Sequence, residues 1–267
     1  MTDERILVFI PAYNCAEQIE RVVRRLDGPV KELVDEVIVV DNRSPDDTAA
    51  RAAGALERVD GLRWSVLVND ANYGLGGSHK VAIDYGLAHG HTWLLVLHGD
   101  DQADPADFEA PLRAGAHRSV DALLGARFMR GSRLRGYSRV RTVGNHAYNL
   151  IFSLAARHRL HDLGSGLNLF RLARFADGAH RRFADDLTFN YHLSLYMVHA
   201  GWRIAFVPIS WREEDQRSNV KLVQQGVRTL GLVRDFVRDR RAFFATDHSA
   251  GHAGYTAEPL ATSGAAP

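Results

Sequence analysis

Cysteine is nearly absent: Cys15 stands alone in 267 residues. That excludes an internal disulfide framework and any cysteine-built zinc site, and makes a reducing compartment, the cytoplasm, the expectation. Long apolar runs are missing as well. None approaches the roughly 20 residues of a membrane span, so any membrane contact is expected to be peripheral. The start, MTDERILVFIPAYN, is broken by Pro11 too soon to read as a signal peptide. Nor is there an excess of one charge. Lys and Arg number 33 against 32 Asp and Glu, and the net charge is +1. With no basic tract and no zinc spacing, nucleic acid is not an expected partner. What remains, 46% hydrophobic and 24% charged residues, is the composition of a soluble globular domain. The stretch after Asp247 is rich in Ala, Gly, Ser and Pro and reads as disordered. The expectation is therefore one domain over residues 1–246 and a disordered tail over 247–267.

Four short apolar runs punctuate the first half: Ile6 to Ile10, Val37 to Val40, Ser65 to Val68 and Leu94 to Leu97. Runs of that length suit strands covered on both faces, as in a parallel sheet. Helical patterns separate them, over Ala16 to Leu26, Asp46 to Arg58 and Gly77 to Ala88. Alternating strands and helices predict an α/β fold with a mostly parallel central sheet flanked by helices. In the second half, short strands are expected at Ala122 to Phe128, Leu167 to Phe170 and Arg203 to Pro208. Helices are expected at Val140 to Ala156 and Leu187 to Ala200, with one or two amphipathic helices over Val220 to Phe244.

The chemistry gathers where the predicted strands stop. The first ends in Pro11, Ala12, Tyr13 and Asn14. The second ends in Asp41, Asn42, Arg43 and Ser44. The fourth ends in His98, Gly99, Asp100, Asp101 and Gln102. In a parallel sheet these ends share one rim, where open α/β folds bind ligands. A tyrosine there can stack on a base, an aspartate can accept a base N–H, and carboxylates can hold a divalent cation on phosphates. That outlines a nucleotide-diphosphate site. Competing explanations are a strand-end turn for Asp41 and helix capping for Asp101 or Asp104.

The ordered set FIPAYN, VIVVDNRSPDDT, NDANYGLGGSHKVAIDYGL and HGDDQ resembles a family 2 inverting glycosyltransferase of the GT-A fold. The later stretches GARF, HDLGSGLNLFR, VPISWR and RSNVKL resemble its polyprenyl-phosphate sugar synthase branch, the dolichyl-phosphate mannose synthases among them. The resemblance runs from Arg5 to Leu222. It implies a metal-dependent transferase that moves a sugar from a UDP- or GDP-sugar to a polyprenyl phosphate, with Mg²⁺ or Mn²⁺ as cofactor. It also implies a place at the cytoplasmic face of a membrane.

Residue by residue, the resemblance implies Pro11, Tyr13, Asn14 and Asp41 at the base and ribose. It puts Asn72, Gly74 and Lys80 (or His79) near the donor, and Arg212, Arg217, Ser218 and Lys221 on a loop over the diphosphate. The family pattern D-x-D-x-Q appears here as H-G-D-D-Q. Asp100 then takes the metal position, Gln102 the next, and His98 replaces the first aspartate. Arg127, Arg139 or Arg141, Asp162 and Ser165 form the implied acceptor side. Asp100, Asp101 and Asp104 are the available bases, and Asp100, Asp101 and Arg127 the implied catalytic set. His192 stands where the family often has an acid. Two alternatives stay open: a transferase acting on a small-molecule or glycan hydroxyl, and a nucleotide-sugar-binding protein without catalysis.

Overall fold

In the computed structural model, which describes residues 4–213 and 222–264, the apolar runs of the first half become neighbouring strands. Chain order is β1 (Ile6–Ala12), α1 (Ala16–Leu26), β2 (Glu36–Asp41), α2 (Thr48–Leu56), β3 (Arg63–Asn69), α3 (Gly74–Ala88), β4 (Trp93–Leu97) and α4 (Glu109–Arg113). Then come β5 (Ala122–Ala126), β6 (Arg133–Arg135), α5 (Arg139–Ala156), β7 (Leu167–Arg171), α6 (Phe189–His199), β8 (Ile204–Pro208) and β9 (Ser210–Arg212). The chain closes with α7 (Leu222–Arg238), α8 (Arg240–Ala245) and β10 (Ala257–Thr262).

Eight strands form one sheet in the order β10-β3-β2-β1-β4-β7-β5-β8, and β6 pairs with β9 apart from it. Strands β3, β2, β1 and β4 are mutually parallel. β7 runs antiparallel to both β4 and β5, and β8 is parallel to β5. The sheet is thus mixed, with its parallel part at the centre. Alternation along β1 explains why both faces are covered: Leu7 and Phe9 enter one apolar cluster, Ile6, Val8 and Ile10 the other. Helices α1 and α2 cover the second cluster through Ile19, Val23, Leu26 and Leu56. Helices α3, α6 and α8 cover the first through Val81, Ile83, Phe189, Leu193 and Phe243.

Helix α1 occupies the residues the periodicity assigns to it, with Glu17 in its first turn and Arg24 and Arg25 in its last, matching the helix dipole. Helix α2 starts two residues later than its sequence signal, because the Asp46 carboxylate accepts the Thr48 amide at 3.2 Å and turns the chain first.

The C-terminal stretch corrects the expectation of a disordered tail. Residues Ala257–Thr262 form β10, antiparallel to β3, with a register shift between Pro259 and Ala261. Its composition carries little apolar signal. The strand exists because the open edge of β3 supplies backbone partners, and proline is tolerated on an edge. The last amphipathic region also resolves: α7 and α8 are two helices that bury Val233, Phe236, Phe243 and Phe244.

Candidate active site

Strand order 3-2-1-4 reverses direction between β1 and β4, which opens a crevice at their carboxyl ends. The crevice is laced by backbone bonds: Gly99 N–H donates to the Pro11 carbonyl at 3.1 Å, and Asn42 N–H to the Ala12 carbonyl at 2.9 Å. Because β7 is antiparallel to β4, with Leu97 opposite Leu167, the segment before β7 returns to the same rim. So does the end of β5. Tyr13, Asp41, Asp100, Arg127 and Ser165, far apart in sequence, therefore share one edge of the sheet.

On the donor side, Tyr13 is half exposed beside the crevice. Asn14 has a left-handed backbone with φ 51°, and its N–H donates to the Ser44 hydroxyl at 2.9 Å. Asp41 is buried, and its carboxylate accepts both the amide and the hydroxyl of Ser44. The strand-end turn is thus built, and it fixes the carboxylate at the rim. A network absent from the sequence reading holds the floor. Asn42 Oδ1 accepts from Asn69 Nδ2 at 3.0 Å and from the Tyr73 amide at 2.8 Å. Its own Nδ2 donates to Asn72 at 2.8 Å. Three asparagines spaced 27 and 3 residues apart carry no periodic signal; only the sheet brings them together.

The glycines and lysine of NYGLGGSHK do something other than cradle phosphate. Gly74 and Gly76 let α3 approach the chain at Ala184 and Asp185: a Cβ at Gly74 would lie 2.5 Å from the Asp185 carbonyl oxygen. The Gly76 amide donates to that carbonyl at 2.6 Å. Lys80 is fully buried and donates to the Phe183 carbonyl at 2.7 Å, the Asp185 carboxylate at 2.5 Å and the Tyr255 hydroxyl at 3.0 Å. This corrects the expectation that Lys80 or His79 lies at the donor. Burial drives the His79 pKa down to about 3, leaving it a neutral core residue.

Past β4 the two aspartates separate. Asp101 has a left-handed backbone with φ 60°, which turns its side chain toward α1. There Arg21 Nε and Arg25 Nε each lie 2.8 Å from its carboxylate. This corrects its expected role as a base. The signal for its partners was the i, i+4 arginine pair in RVVRR. Asp104 caps the next turn through the Ala106 amide and faces Arg25 and Arg212, each at 3.3 Å. Asp100 keeps to the rim. Its Oδ1 accepts the Gln102 amide at 3.2 Å, and burial, reinforced by the Asp101 charge, pushes its pKa up to about 6. The His98 ring packs on Gly166, where a Cβ would lie 2.7 Å from Cγ. Burial, then the charge of Arg127, lowers its pKa to about 4. Among the described residues no three His, Cys, Asp or Glu side chains converge as a closed metal site.

On the acceptor side, Arg127 is buried and directs Nε and Nη2 at the two oxygens of Asp162, both at 2.8 Å. Its amide also donates to Asp162, as does the Gly164 amide at 3.0 Å. The pair thereby shapes the 162–166 turn, and Arg127 is a positioning residue rather than an exposed clamp. Ser165 is buried and bonds to the Leu167 backbone. Arg141 pairs with Glu213 at 2.6 Å, and Arg139 is exposed. Arg212 sits with Arg25, Arg133 and Arg135 around a cavity of about 320 Å³. Arg217, Ser218 and Lys221 lie outside the described residues. His192 is in the interior, its ring stacked on Phe243 at 5.2 Å, so it stands in no acidic residue's place at the rim.

A family model for glycosyl transferase family 2 matches residues 7–177, which take in every strand of the parallel core. The chain belongs to glycosyl transferase family 2. As a member of that family it is a glycosyltransferase, and its sheet is that of the GT-A fold. Among curated family proteins it is 26% identical, over 79% of each chain, to the polyprenol monophosphomannose synthase of Mycolicibacterium smegmatis. It is also 26% identical to the undecaprenyl-phosphate mannosyltransferase of Micrococcus luteus, over 79% of this chain and 85% of that one. Among solved structures, glucosyl-3-phosphoglycerate synthase of Mycobacterium tuberculosis in complex with Mn²⁺, UDP and glucosyl-3-phosphoglycerate shares the fold. The TM-score is 0.59 at 18% identity, covering 97% of this chain and 90% of that one.

Proposed function

We propose that this glycosyltransferase moves a sugar, with inversion, from a nucleotide-diphosphate sugar to a polyprenyl phosphate. One observation carries the reading. Four carboxylates that the sequence places along the rim are already held: Asp41 by Ser44, Asp101 by Arg21 and Arg25, Asp104 by Arg25 and Arg212, Asp162 by Arg127. A hydroxyl acceptor needs a base to take its proton. A phosphate arrives ionised and needs only cations to position it. The acceptor side supplies them: of the eight arginines between Ala122 and His161, Arg127 is taken by Asp162 and Arg141 by Glu213, while Arg130, Arg133, Arg135, Arg139, Arg157 and Arg159 are exposed. The two curated relatives named above carry polyprenyl phosphates in their names, which supports the same acceptor.

In this reading Tyr13 stacks on the base and Asp41 holds the nucleoside. Arg212, with Arg217, Ser218 and Lys221, takes the diphosphate. Arg139 and Arg141 draw in the acceptor phosphate beside the turn that Arg127 and Asp162 shape. Asp100 and Gln102 would hold a divalent cation, since carboxylate and carboxamide oxygens are the hard donors such an ion takes. When bound, it would offset the charge that develops on the departing nucleoside diphosphate. A bound cation also favours the ionised form of Asp100, which burial otherwise opposes.

The test supplies GDP-mannose and a panel of UDP-sugars, with Mg²⁺ or Mn²⁺, to undecaprenyl phosphate and to undecaprenol in parallel. Cation-dependent glycosylation of the phosphate and not of the alcohol is expected. Equal transfer to the alcohol would overturn the acceptor assignment. A phosphoglyceric acid arm covers the small soluble ligand held by glucosyl-3-phosphoglycerate synthase in another of its solved structures.

A further inference from the structure

Periodicity puts Val143, Ala147, Leu150 and Leu154 on one face of a helix, which would ordinarily be the buried face. The structure inverts this. The fully buried side chains of α5 are Asn149, Phe152 and Ala156. Val140, Val143, Leu150 and Leu154 are 81, 69, 60 and 69% exposed. Ala147 is exposed between them, so positions 140, 143, 147, 150 and 154 form one straight apolar stripe. Isolated exposed apolar residues are ordinary, but a continuous row marks an interaction surface. Helices α7 and α8, amphipathic in sequence, turn Val233, Phe236 and Phe243 into the core.

Charge indicates what covers the stripe. The segment from Ala122 to His161 carries eight arginines without a single carboxylate, in a chain of net charge +1. Arg139 opens α5, and Arg157 and Arg159 close it, all exposed. A second copy fits poorly, because a two-fold contact through this stripe would set the same arginines against each other. An anionic bilayer matches both features.

We propose that α5 is a membrane-binding helix, its stripe set at the acyl boundary and its flanking arginines on anionic headgroups. The helix is tied to the acceptor side. Asn149 Nδ2 donates to the His161 carbonyl at 2.7 Å, and Ser153 accepts the Leu160 amide at 3.0 Å. Docking α5 therefore presents the turn at Asp162 to the membrane surface. The inference deepens the lipid-phosphate reading and rests on it for its purpose, but it is tested without substrate.

The experiment is co-sedimentation of the whole chain with vesicles of phosphatidylcholine alone or with phosphatidylglycerol added. It compares the natural protein with Val143→Asp/Leu150→Asp, two changes at exposed positions of α5. The natural protein should bind the anionic vesicles and be released by salt. The double variant should bind at least about tenfold more weakly. It should keep its melting temperature and its turnover on a short-chain, water-soluble polyprenyl phosphate. The proposal is overturned if the natural protein stays in the supernatant, if the variant binds as well, or if the stripe instead holds a dimer that the variant splits. Vesicle binding without transfer to any lipid phosphate would sink the proposed reaction and leave α5 as assigned.

Discussion

Asp100 and Asp101 are adjacent in the chain and turn to different partners. The left-handed backbone at Asp101, φ 60°, sends its carboxylate to Arg21 Nε at 2.8 Å, while Asp100 stays at the rim on the Gln102 amide at 3.2 Å. Two like charges one residue apart are tolerated because one of them is neutralised by α1.

That division separates function from stability. Asp100→Asn is expected to lower turnover by about 100-fold or more. It should leave the melting temperature at pH 8 unchanged or raised. The Asp100 pKa is lifted above its unfolded value, so ionisation of this group opposes folding as pH rises through about 6. Asp101→Asn should instead cost about 1–3 kcal/mol of stability by leaving Arg21 and Arg25 poorly matched. Thermal melts beside a sugar-transfer assay would expose the reverse pattern if it held.

Arg127 and Asp162 are expected to behave as one unit. Arg127→Met strands a buried carboxylate and should destabilise by about 3–5 kcal/mol. The double change Arg127→Met/Asp162→Asn should recover most of that loss and still raise the KM for a phosphate acceptor, because the 162–166 turn loses its anchor. Denaturant melts of the two singles and the double measure the coupling; additive losses would refute it.

Asp121 provides an acid-sensitive lock. Burial opposes its charge, but hydrogen bonds from Arg174 and Arg203 outweigh that and hold its pKa well below the usual carboxylate range. A depressed pKa contributes stability above the unfolded value, near 4, and loses it as pH falls toward the folded one. Asp121→Asn should therefore lower the melting temperature at pH 7 and have a shrinking effect as pH drops below about 4. Melts of both proteins at pH 7 and pH 3 would reveal a constant gap if Asp121 were only a packing residue.

Deleting residues 249–267 should destabilise the protein by about 2–5 kcal/mol, since it uncovers the edge of β3 and removes a hydroxyl partner from buried Lys80. Urea unfolding would show no change if the tail were disordered.

The sequence by itself determined the parallel core. Four β-rich runs alternating with helical periodicity have few other ways to bury both strand faces, and the polar residues that end those runs must then lie along one rim. The position of Tyr13, Asp41 and Asp100 on that rim was legible for that reason. The tertiary structure alone decided which way individual side chains turned. A left-handed residue at Asp101, a close approach at Gly74 and a lysine drawn inside by Asp185 depend on partners more than 70 residues away. The β10 strand and the outward stripe of α5 belong to the same class. Periodicity says that a face is apolar, but only the packing of the other elements decides whether that face meets the core or is left outside it.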